Sequence, residues 1–498
     1  MQPVSLSTPP NSAELVSDAD ITMAIETLLA AKKGLAAHGI TVATRAGVVE
    51  LAGFTDNLLS QQWAGEIALA VRGVRGVRGL RGLRNTLAVR TAAVPDTELR
   101  QAVGQALVDD PATNDHQVHW LVSEGVVTLS GTVQTWAEKQ LVLRVLQGVR
   151  GVRAFVADDL VIRGGEIVNS DAEITTQIQE LLDWDIRANG ALVQVRTTEQ
   201  VVHLAGTMGT HAEKNRLVAL AYQAGAARVD ARDLFVAYWA LGREIHREQF
   251  APQPDEAIAR AVRDTLRLNP RVRAAETLVQ VLDGVVTLAG TVSNLRTKQH
   301  AEQDARHVVG VSNVHNLLKV RPARLVPDED IGQSIIAAWA RDPYVGQFAF
   351  QVQVHGGQVL LTGLVSTPFE VEQAGDVAAG VSGVVDVNNR LEVTSLDAED
   401  GSTTSFLGQD KTGLDHALAE RIRARYCWSA SLHDQEVEVH VANGRATLSG
   451  TVDTWLDRQH AAQAAHEAGS REVNNHLRVL SAALPVGHEL LAGSGISH

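Results

Sequence analysis

The sequence predicts an α+β protein made of six small units in tandem, each with the element order helix, strand, strand, helix, strand. The first observation is a repeated stretch: residues 125–133 read GVVTLSGTV, residues 284–292 read GVVTLAGTV and residues 444–452 read GRATLSGTV. The second is that its second glycine, here called the anchor glycine, recurs 73 to 87 residues apart, as Gly53, Gly131, Gly206, Gly290, Gly363 and Gly450. An internal repeat of this length determines the architecture.

The third observation is the pattern around each anchor. Residues 96–110 place apolar side chains at helical spacing, and residues 117–123 alternate between apolar and polar side chains, which is typical of a strand. Glu124-Gly125 then provides a hairpin turn. We expect the second strand to end at the anchor glycine, and Thr135 with Glu138 to form a capping box that begins the second helix. Each unit is therefore predicted to fold as a three-stranded mixed sheet with two helices on one face.

The six anchor glycines are predicted to have a structural role. Glycine is needed where the backbone adopts positive φ or where another chain segment approaches closely. The repeated residues as a whole are turn glycines, alternating aliphatic side chains and helix caps. They are what a fold requires rather than what a reaction requires.

The repeats and the polar segments between them divide the chain. The predicted divisions are a disordered N-terminus (1–17), units 1 to 5 (18–90, 96–163, 171–238, 254–321 and 328–394), a flexible linker (395–412), unit 6 (413–480) and a disordered tail (481–498). Because most linkers are short, we expect units 2 and 3, and units 4 and 5, to pack as pairs. Unit 6 is expected to be loosely tethered.

The chain resembles a tandem array of BON (bacterial OsmY and nodulation) domains. The resemblance is carried by the repeated G-V-V-T-L-x-G-x-V stretch and by a later motif, seen as GVSNVHNLLKV (310–320) and GVVDVNNRLEV (383–393). It recurs six times. It implies an association with phospholipid membranes or envelope proteins and a role in osmotic-stress responses, in a family whose members are mostly periplasmic.

Composition limits the partners and the compartment. The formal net charge is −14, which argues against nucleic acid as the main partner, because phosphate binding needs a positive field. Cys427 is the single cysteine, so no intramolecular disulfide is predicted. The first residues lack the pattern of a secretory signal, and no run of 18 apolar residues occurs. These observations predict a cytoplasmic location, with self-association as a further expectation.

One basic segment, VRGVRGVRGLRGLR (71–84), stands apart from the acidic whole. Compared with the other units it contains two additional V-R-G triplets. One interpretation is a triplet expansion without function. The other is an anion-binding loop, for which the candidate residues are Arg72, Arg75, Arg78, Arg81 and Arg84.

The search for chemistry finds no catalytic residue, metal site or cofactor-binding motif. The 18 histidines are scattered, and neither H-E-x-x-H nor a phosphate-binding G-x-x-x-x-G-K-[ST] loop occurs. Cys427 has no assignable base beside it. We therefore expect a non-enzymatic, multivalent binding or scaffold protein. A chaperone-like stress protein that shields client proteins and a self-assembling structural protein are the alternatives.

Overall fold

The computed structural model describes residues 16–479, except 33–34, 36–38, 75–81, 92, 111, 114–116, 164–168, 242–252, 273–276, 323–325, 395–410 and 430. Nearly all of the N-terminal segment predicted to be disordered, most of the predicted linker and the predicted tail lie outside these residues. The first helix of unit 6 begins at Lys411, two residues before the predicted start of that unit.

The helices and strands of the first three units follow the predicted order. Unit 1 has helices Asp18–Ala31 and Leu58–Ala70 and strands Ile40–Arg45, Val48–Thr55, Leu83–Asn85 and Ala88–Val89. Unit 2 has helices Asp96–Asp109 and Trp136–Gln147 and strands Gln117–Ser123, Val126–Val133 and Ala154–Ile162. Unit 3 has helices Asp171–Trp184 and His211–Gln223 and strands Val193–Thr198, Val201–Met208 and Arg228–Val236, followed by a 3₁₀ turn at Tyr238–Leu241.

The last three units have the same order. Unit 4 has helices Asp255–Leu268 and Leu295–Arg306 and strands Thr277–Leu282, Val285–Val292, Asn313–Asn316 and Lys319–Val320. Unit 5 has helices Asp328–Arg341 and Pro368–Ala379 and strands Gln351–His355, Gln358–Val365 and Asp386–Val393. Unit 6 has helices Lys411–Trp428 and Trp455–Glu467 and strands Glu436–Ala442, Arg445–Val452, Glu472–Asn475 and Arg478–Val479.

Each unit forms one mixed sheet with the second strand in the centre. In unit 2, Val118 of the first strand pairs antiparallel with Gly131, and Leu160 of the last strand pairs parallel with it. The central strand buries Val127 and Leu129 against the helices, where Leu99 is also fully buried. In units 1, 4 and 6 the last strand is split into two short pieces that pair with the same central strand. The predicted α+β class and αββαβ order are confirmed.

The anchor glycines lie inside the central strand, so the prediction that this strand ends at the anchor is wrong. In unit 2 the strand continues to Val133, two residues beyond Gly131. All six anchors have φ between +114° and +148°. A Cβ atom on Gly131 would lie 2.1 Å from the carbonyl oxygen of Gln117 in the neighbouring strand. A side chain at this position would therefore push the two strands apart.

A second repeated feature joins the first helix to the hairpin. An aspartate 35 residues before each anchor accepts hydrogen bonds from two successive backbone N–H groups of the hairpin turn, at 2.7–3.1 Å. These aspartates are Asp18, Asp96, Asp171, Asp255, Asp328 and Asp415. The two hydrogen bonds from Gly356 and Gly357 lower the pKa of Asp328. We call this contact the aspartate–turn clamp.

Substitution of an anchor glycine tests its structural role. Gly131→Ala should lower the free energy of unfolding of the full chain by on the order of 3 kcal/mol, because it combines positive φ with a clash against Gln117. The control is Gly332→Ala in a helix, where the added Cβ meets only Val354 Cγ2, at 3.7 Å. Denaturant unfolding curves should separate the two variants. Equal stabilities would show that Gly131 is dispensable.

Candidate functional site

Three pairs of units are joined by the same backbone contact. The residue 19 positions after one anchor donates its N–H to the carbonyl oxygen of the residue 22 positions before another anchor. The three contacts are Arg72 to Trp428 at 3.1 Å, Arg150 to Arg341 at 2.7 Å and Val309 to Trp184 at 2.9 Å. They pair unit 1 with unit 6, unit 2 with unit 5, and unit 4 with unit 3. We call this the pairing contact.

Side chains strengthen two of these pairs. Trp428 of unit 6 packs against the core of unit 1, and Trp184 of unit 3 packs against the core of unit 4. Lys32 of unit 1 also forms an ion pair with Glu467 of unit 6, at 2.7 Å. The prediction that unit 6 is loosely tethered is therefore wrong, because distance along the chain does not determine which units pack together.

The predicted neighbours also touch, through other residues. Trp136 of unit 2 stacks on Tyr222 of unit 3, with ring centroids 5.4 Å apart. Arg296 of unit 4 donates a hydrogen bond to the backbone carbonyl of Asp376 in unit 5. The second helices of units 1 and 3 are in contact as well. The second helices thus meet one another in the interior of the array.

A cavity lies among these helices. One part, of about 870 Å³, is lined by units 2, 3 and 4. An adjoining part, of about 530 Å³, is lined by units 1, 2, 4 and 5. Arg144, Arg271, His300 and Gln303 line both parts, and this place is here called the junction. Side chains from units that are far apart in sequence are brought together here.

Ion pairs between units form part of the cavity wall. Arg271 of unit 4 binds Asp110 of unit 2 through two bonds, at 2.6 Å and 2.9 Å. Both side chains are nearly inaccessible to solvent, at 9% and 7% exposure. Arg341 of unit 5 pairs with Asp109 beside them. Breaking such a pair costs more than an exposed ion pair contributes, because it leaves a buried charge without compensation.

Unit 3 contributes a second charged group. Asp185 forms ion pairs with Arg187 at 2.7 Å and with Arg216 at 2.6 Å. Burial alone would raise the pKa of Asp185, but the two arginines hold it well below its usual range. Nearby, burial raises the pKa of Asp304, which accepts a hydrogen bond from Asn269.

The junction itself is electropositive. Burial, together with the charges of Arg271, Arg296 and Arg144, lowers the pKa of His300 to about 4, while Asp110 acts in the opposite direction. Partial desolvation by the cavity wall and the charge of Arg271 lower the pKa of Arg144, which stays exposed to the cavity, while Glu66 and Asp304 act in the opposite direction. Burial and the charge of Arg271 lower the pKa of Arg296. At neutral pH His300 is therefore an uncharged imidazole surrounded by three guanidinium groups.

Buried carboxyl groups occur at the N-termini of two second helices. Glu213 of unit 3 accepts a hydrogen bond from the backbone N–H of Gly209, and Asp457 of unit 6 forms a capping box with Thr454. Burial raises the pKa of Glu213 to about 7 and that of Asp457 to about 6. The charge of Asp457 contributes to the shift of Glu213, so units 3 and 6 bring two acidic groups together.

The face of each sheet opposite the helices is a second candidate site. In unit 2, Leu121 is 68% exposed, whereas its neighbours Trp120 and Val122 pack towards the core. In unit 4, Leu278 and Leu282 are 58% and 73% exposed, and they alternate with residues that face the core. Large aliphatic side chains therefore lie on the outer faces of these two units.

The comparisons with known proteins agree with the repeat. The family model described as "BON domain" matches six segments, residues 17–80, 95–164, 170–233, 254–322, 327–395 and 415–481. The chain belongs to the BON domain family. A similar curated protein is the "Osmotically-inducible protein Y" of Escherichia coli (strain K12), 26% identical over 209 residues that cover 42% of this chain and 97% of the relative.

Two solved structures also resemble this BON protein locally. They are described as CdsD, a structural protein of the type III secretion system of Chlamydia trachomatis, and as its C-terminal domain. Their sequence identities are 16% and 17%, they cover 44% and 46% of this chain and 90% and 100% of their own, and each TM-score is 0.12. Similarity this low carries no argument about function.

Of the predicted anion-binding arginines, Arg72 and Arg84 lie among the residues that the structure of this BON array describes. Arg75, Arg78 and Arg81 lie outside the described residues. The backbone of Arg72 makes the pairing contact, and its Nε is buried without a hydrogen-bond partner. The Nε atom of Arg84 lies 3.7 Å from Oε1 of Glu50 on the neighbouring strand. Cys427 is exposed.

The cavity residues were not among the residues predicted from sequence. Arg144, Arg271 and Arg296 come from units 2 and 4, so no local spacing connects them. A signal was nevertheless present. Arg296 occupies the position six residues after its anchor, where the other copies have Leu59, Ala137, Ala212, Phe369 and Leu456. A charged residue at a position that is apolar or small in the other copies indicates a role outside the fold of the unit.

Among the described residues, no group of three or more His, Cys, Asp or Glu side chains is arranged to hold a metal ion. None of the helices there has the length and apolar character that a membrane span requires.

Glu213 provides a test of the buried acidic pair. A carboxyl group with a raised pKa binds its proton more tightly in the folded state. Its contribution to stability is therefore complete below about pH 4.5 and is lost as the pH rises through about 7. Glu213→Gln should raise the free energy of unfolding at pH 8 by up to about 3 kcal/mol and should change it little at pH 4.5.

The control is Glu138→Gln, which changes the equivalent helix-capping position of unit 2. This substitution should not raise the free energy of unfolding at pH 8, because Glu138 caps its helix near the surface. Thermal unfolding at both pH values is the measurement. A Glu213→Gln protein that is less stable than wild type at pH 8 would refute the burial argument.

Proposed function

We propose that this BON protein is a non-catalytic scaffold that binds a partner surface through several exposed sheet faces at the same time. The observation that carries the proposal is the combination of pairing contacts inside the array and exposed sheet faces outside it. The pairing contacts fix the units relative to one another. Linked sites of weak affinity can then gain a factor of about 10²–10⁴ when several engage together.

The surface that suits these faces best is a phospholipid membrane or an envelope protein assembly. The exposed leucines Leu121, Leu278 and Leu282 provide aliphatic contacts. The arginine-rich segment 71–84 would provide charge for anionic headgroups within an otherwise acidic chain. The similarity to the osmotically inducible relative supports a role in osmotic or other envelope stress.

A chaperone-like function is the second candidate, and the same leucines favour it. Exposed aliphatic side chains on rigid sheets could shield the apolar segments of client proteins. The two candidates differ in how activity depends on the number of faces. Multivalent binding falls steeply when one face is lost, whereas shielding falls roughly in proportion to the apolar area.

The experiment compares two triple variants of the full chain. One variant carries Leu121→Gln, Leu278→Gln and Leu282→Gln on the outer sheet faces. The control carries Val108→Gln, Ile336→Gln and Leu414→Gln, which are similarly exposed but lie on first helices. Co-sedimentation with vesicles of anionic phospholipid should show a loss of at least about tenfold in apparent affinity for the sheet variant alone.

The outcomes separate the candidates. Equal vesicle binding by wild type and both variants, or no binding by any of them, would contradict the membrane scaffold. If the sheet variant instead lost only the capacity to prevent aggregation of an unfolded client, in proportion to the leucines removed, the chaperone-like function would replace it.

A further inference from the structure

The junction of the interior cavity contains an arginine for which the fold provides no partner. Arg271 is paired with Asp110, and Arg296 donates to a carbonyl oxygen. Arg144, in contrast, makes no hydrogen bond or ion pair with any residue that the structure describes. The charge of Arg271 repels Arg144, and the charges of Glu66 and Asp304 attract it. Arg144 therefore adds a positive charge to the cavity without forming an ion pair there.

The repeat shows that this charge is not a requirement of the unit. The position of Arg144, 13 residues after the anchor, is occupied in the other copies by Glu66, Ala219, Gln303, Asp376 and Gln463. Arg144 is the single arginine in this set. Residues that break a local rule without a compensating structural gain are expected at functional sites.

Several carboxylates of the cavity are engaged by other groups. Asp110 and Asp109 are paired with Arg271 and Arg341, and Asp342 accepts two backbone N–H bonds and one bond from Gln373. Of the charges that act on His300, three are positive and one is negative. The cavity wall as a whole carries eight arginines and eight carboxylates, so the excess of positive charge is local to His300.

The cavity is accessible and large enough for a small ligand. Arg144 is solvent-exposed within it, as are Arg260 and Arg267 on its wall. The combined volume far exceeds the roughly 30 Å³ that a water molecule occupies in the liquid. The amide groups of Gln140 and Gln303 line the same space and could donate further hydrogen bonds.

We propose that the junction binds a compact anion of the phosphate class, with Arg144, Arg271 and Arg296 as the contacting cations and His300 beside them. Planar guanidinium groups bind phosphate oxygens through paired, charge-assisted hydrogen bonds. The anion contacts units 2 and 4 directly. It is linked to unit 5 through Arg296, which also donates a hydrogen bond to the backbone carbonyl of Asp376. Binding therefore stabilises the assembled array. The proposal concerns the interior and does not depend on the outer sheet faces.

Binding is coupled to the protonation of His300. In the ligand-free protein burial and the three arginines disfavour the imidazolium, and Asp110 opposes them only in part. A bound anion offsets the charge of the arginines and raises the pKa of His300. Binding should therefore be accompanied by proton uptake on the acid side of neutrality, beyond the protons that the phosphate itself takes up near pH 6.

The test uses pyrophosphate and inorganic phosphate as probes on the full chain. Isothermal titration calorimetry should show binding to wild type, and thermal unfolding should show stabilisation by pyrophosphate. Arg144→Gln should weaken the affinity for pyrophosphate by about 10- to 100-fold, the loss expected for one charge-assisted contact. The same substitution should leave the ligand-free protein about as stable as wild type, because Arg144 forms no hydrogen bond or ion pair that the substitution would break.

Two further variants make the result interpretable. Arg100→Gln removes an exposed arginine of the same unit outside the cavity and should bind as wild type does. Arg144→Lys keeps the charge and should recover part of the affinity, which also covers the case in which Arg144→Gln does not fold. Vesicles of anionic phospholipid distinguish a headgroup from a free anion: wild type and Arg144→Gln should bind them equally. Absence of pyrophosphate binding, or equal binding by wild type and Arg144→Gln, would overturn the proposal.

Discussion

The arrangement of the whole chain depends on one carboxylate in each unit. The aspartate–turn clamp fixes the first helix on the hairpin, through two backbone N–H groups that would otherwise need water. The aspartate is the first residue of that helix in units 1 to 5 and the fifth in unit 6. In units 3, 5 and 6 the pairing carbonyl, on Trp184, Arg341 and Trp428, follows the clamp by 13 residues of helix. A helix of this length spans roughly 20 Å. The clamp at one end thus sets where the pairing contact falls at the other.

The pairing contact makes this array different from a solenoid. In ordinary repeat proteins each unit contacts its sequence neighbours, and stability is a sum of nearest-neighbour terms. Here unit 1 pairs with unit 6 and unit 2 pairs with unit 5, so unfolding of one unit would leave buried groups of a distant unit uncovered. Buried ion pairs such as Arg271 with Asp110 add specificity more than stability, because desolvation offsets much of their attraction.

Much of the unit fold could be predicted from the sequence, because it depends on local signals. The anchor glycines, the hairpin turn at Gly125 and the capping pair of Thr135 and Glu138 are visible in sequence and are present in the structure. The strand boundary at Gly131 was predicted two residues too short, because the positive φ is accommodated within the ladder rather than at its end. The aspartate of the clamp recurs 35 residues before all six anchors and could have been found by aligning the copies.

The site could not be predicted in the same way. The junction brings together Arg144 and Arg271, which are 127 positions apart in the numbering, and no spacing rule connects them. Linker length suggested neighbouring pairs, yet the pairing contact is made by the backbone and is independent of linker length. What the sequence does contain is the difference between copies: Arg144 and Arg296 both depart from the repeat, and both line the cavity.

The most direct test of this account is the distance between the first and the last unit. Cys427 is the single cysteine and is exposed, so Met23→Cys, at an exposed position on the first helix of unit 1, provides a second labelling site and leaves the contact of Arg72 with Trp428 intact. Double electron–electron resonance between spin labels at the two positions should give one narrow distance distribution, independent of protein concentration. A broad distribution centred at long distances would show that unit 6 does not pair with unit 1, and the closed arrangement on which the cavity depends would be wrong.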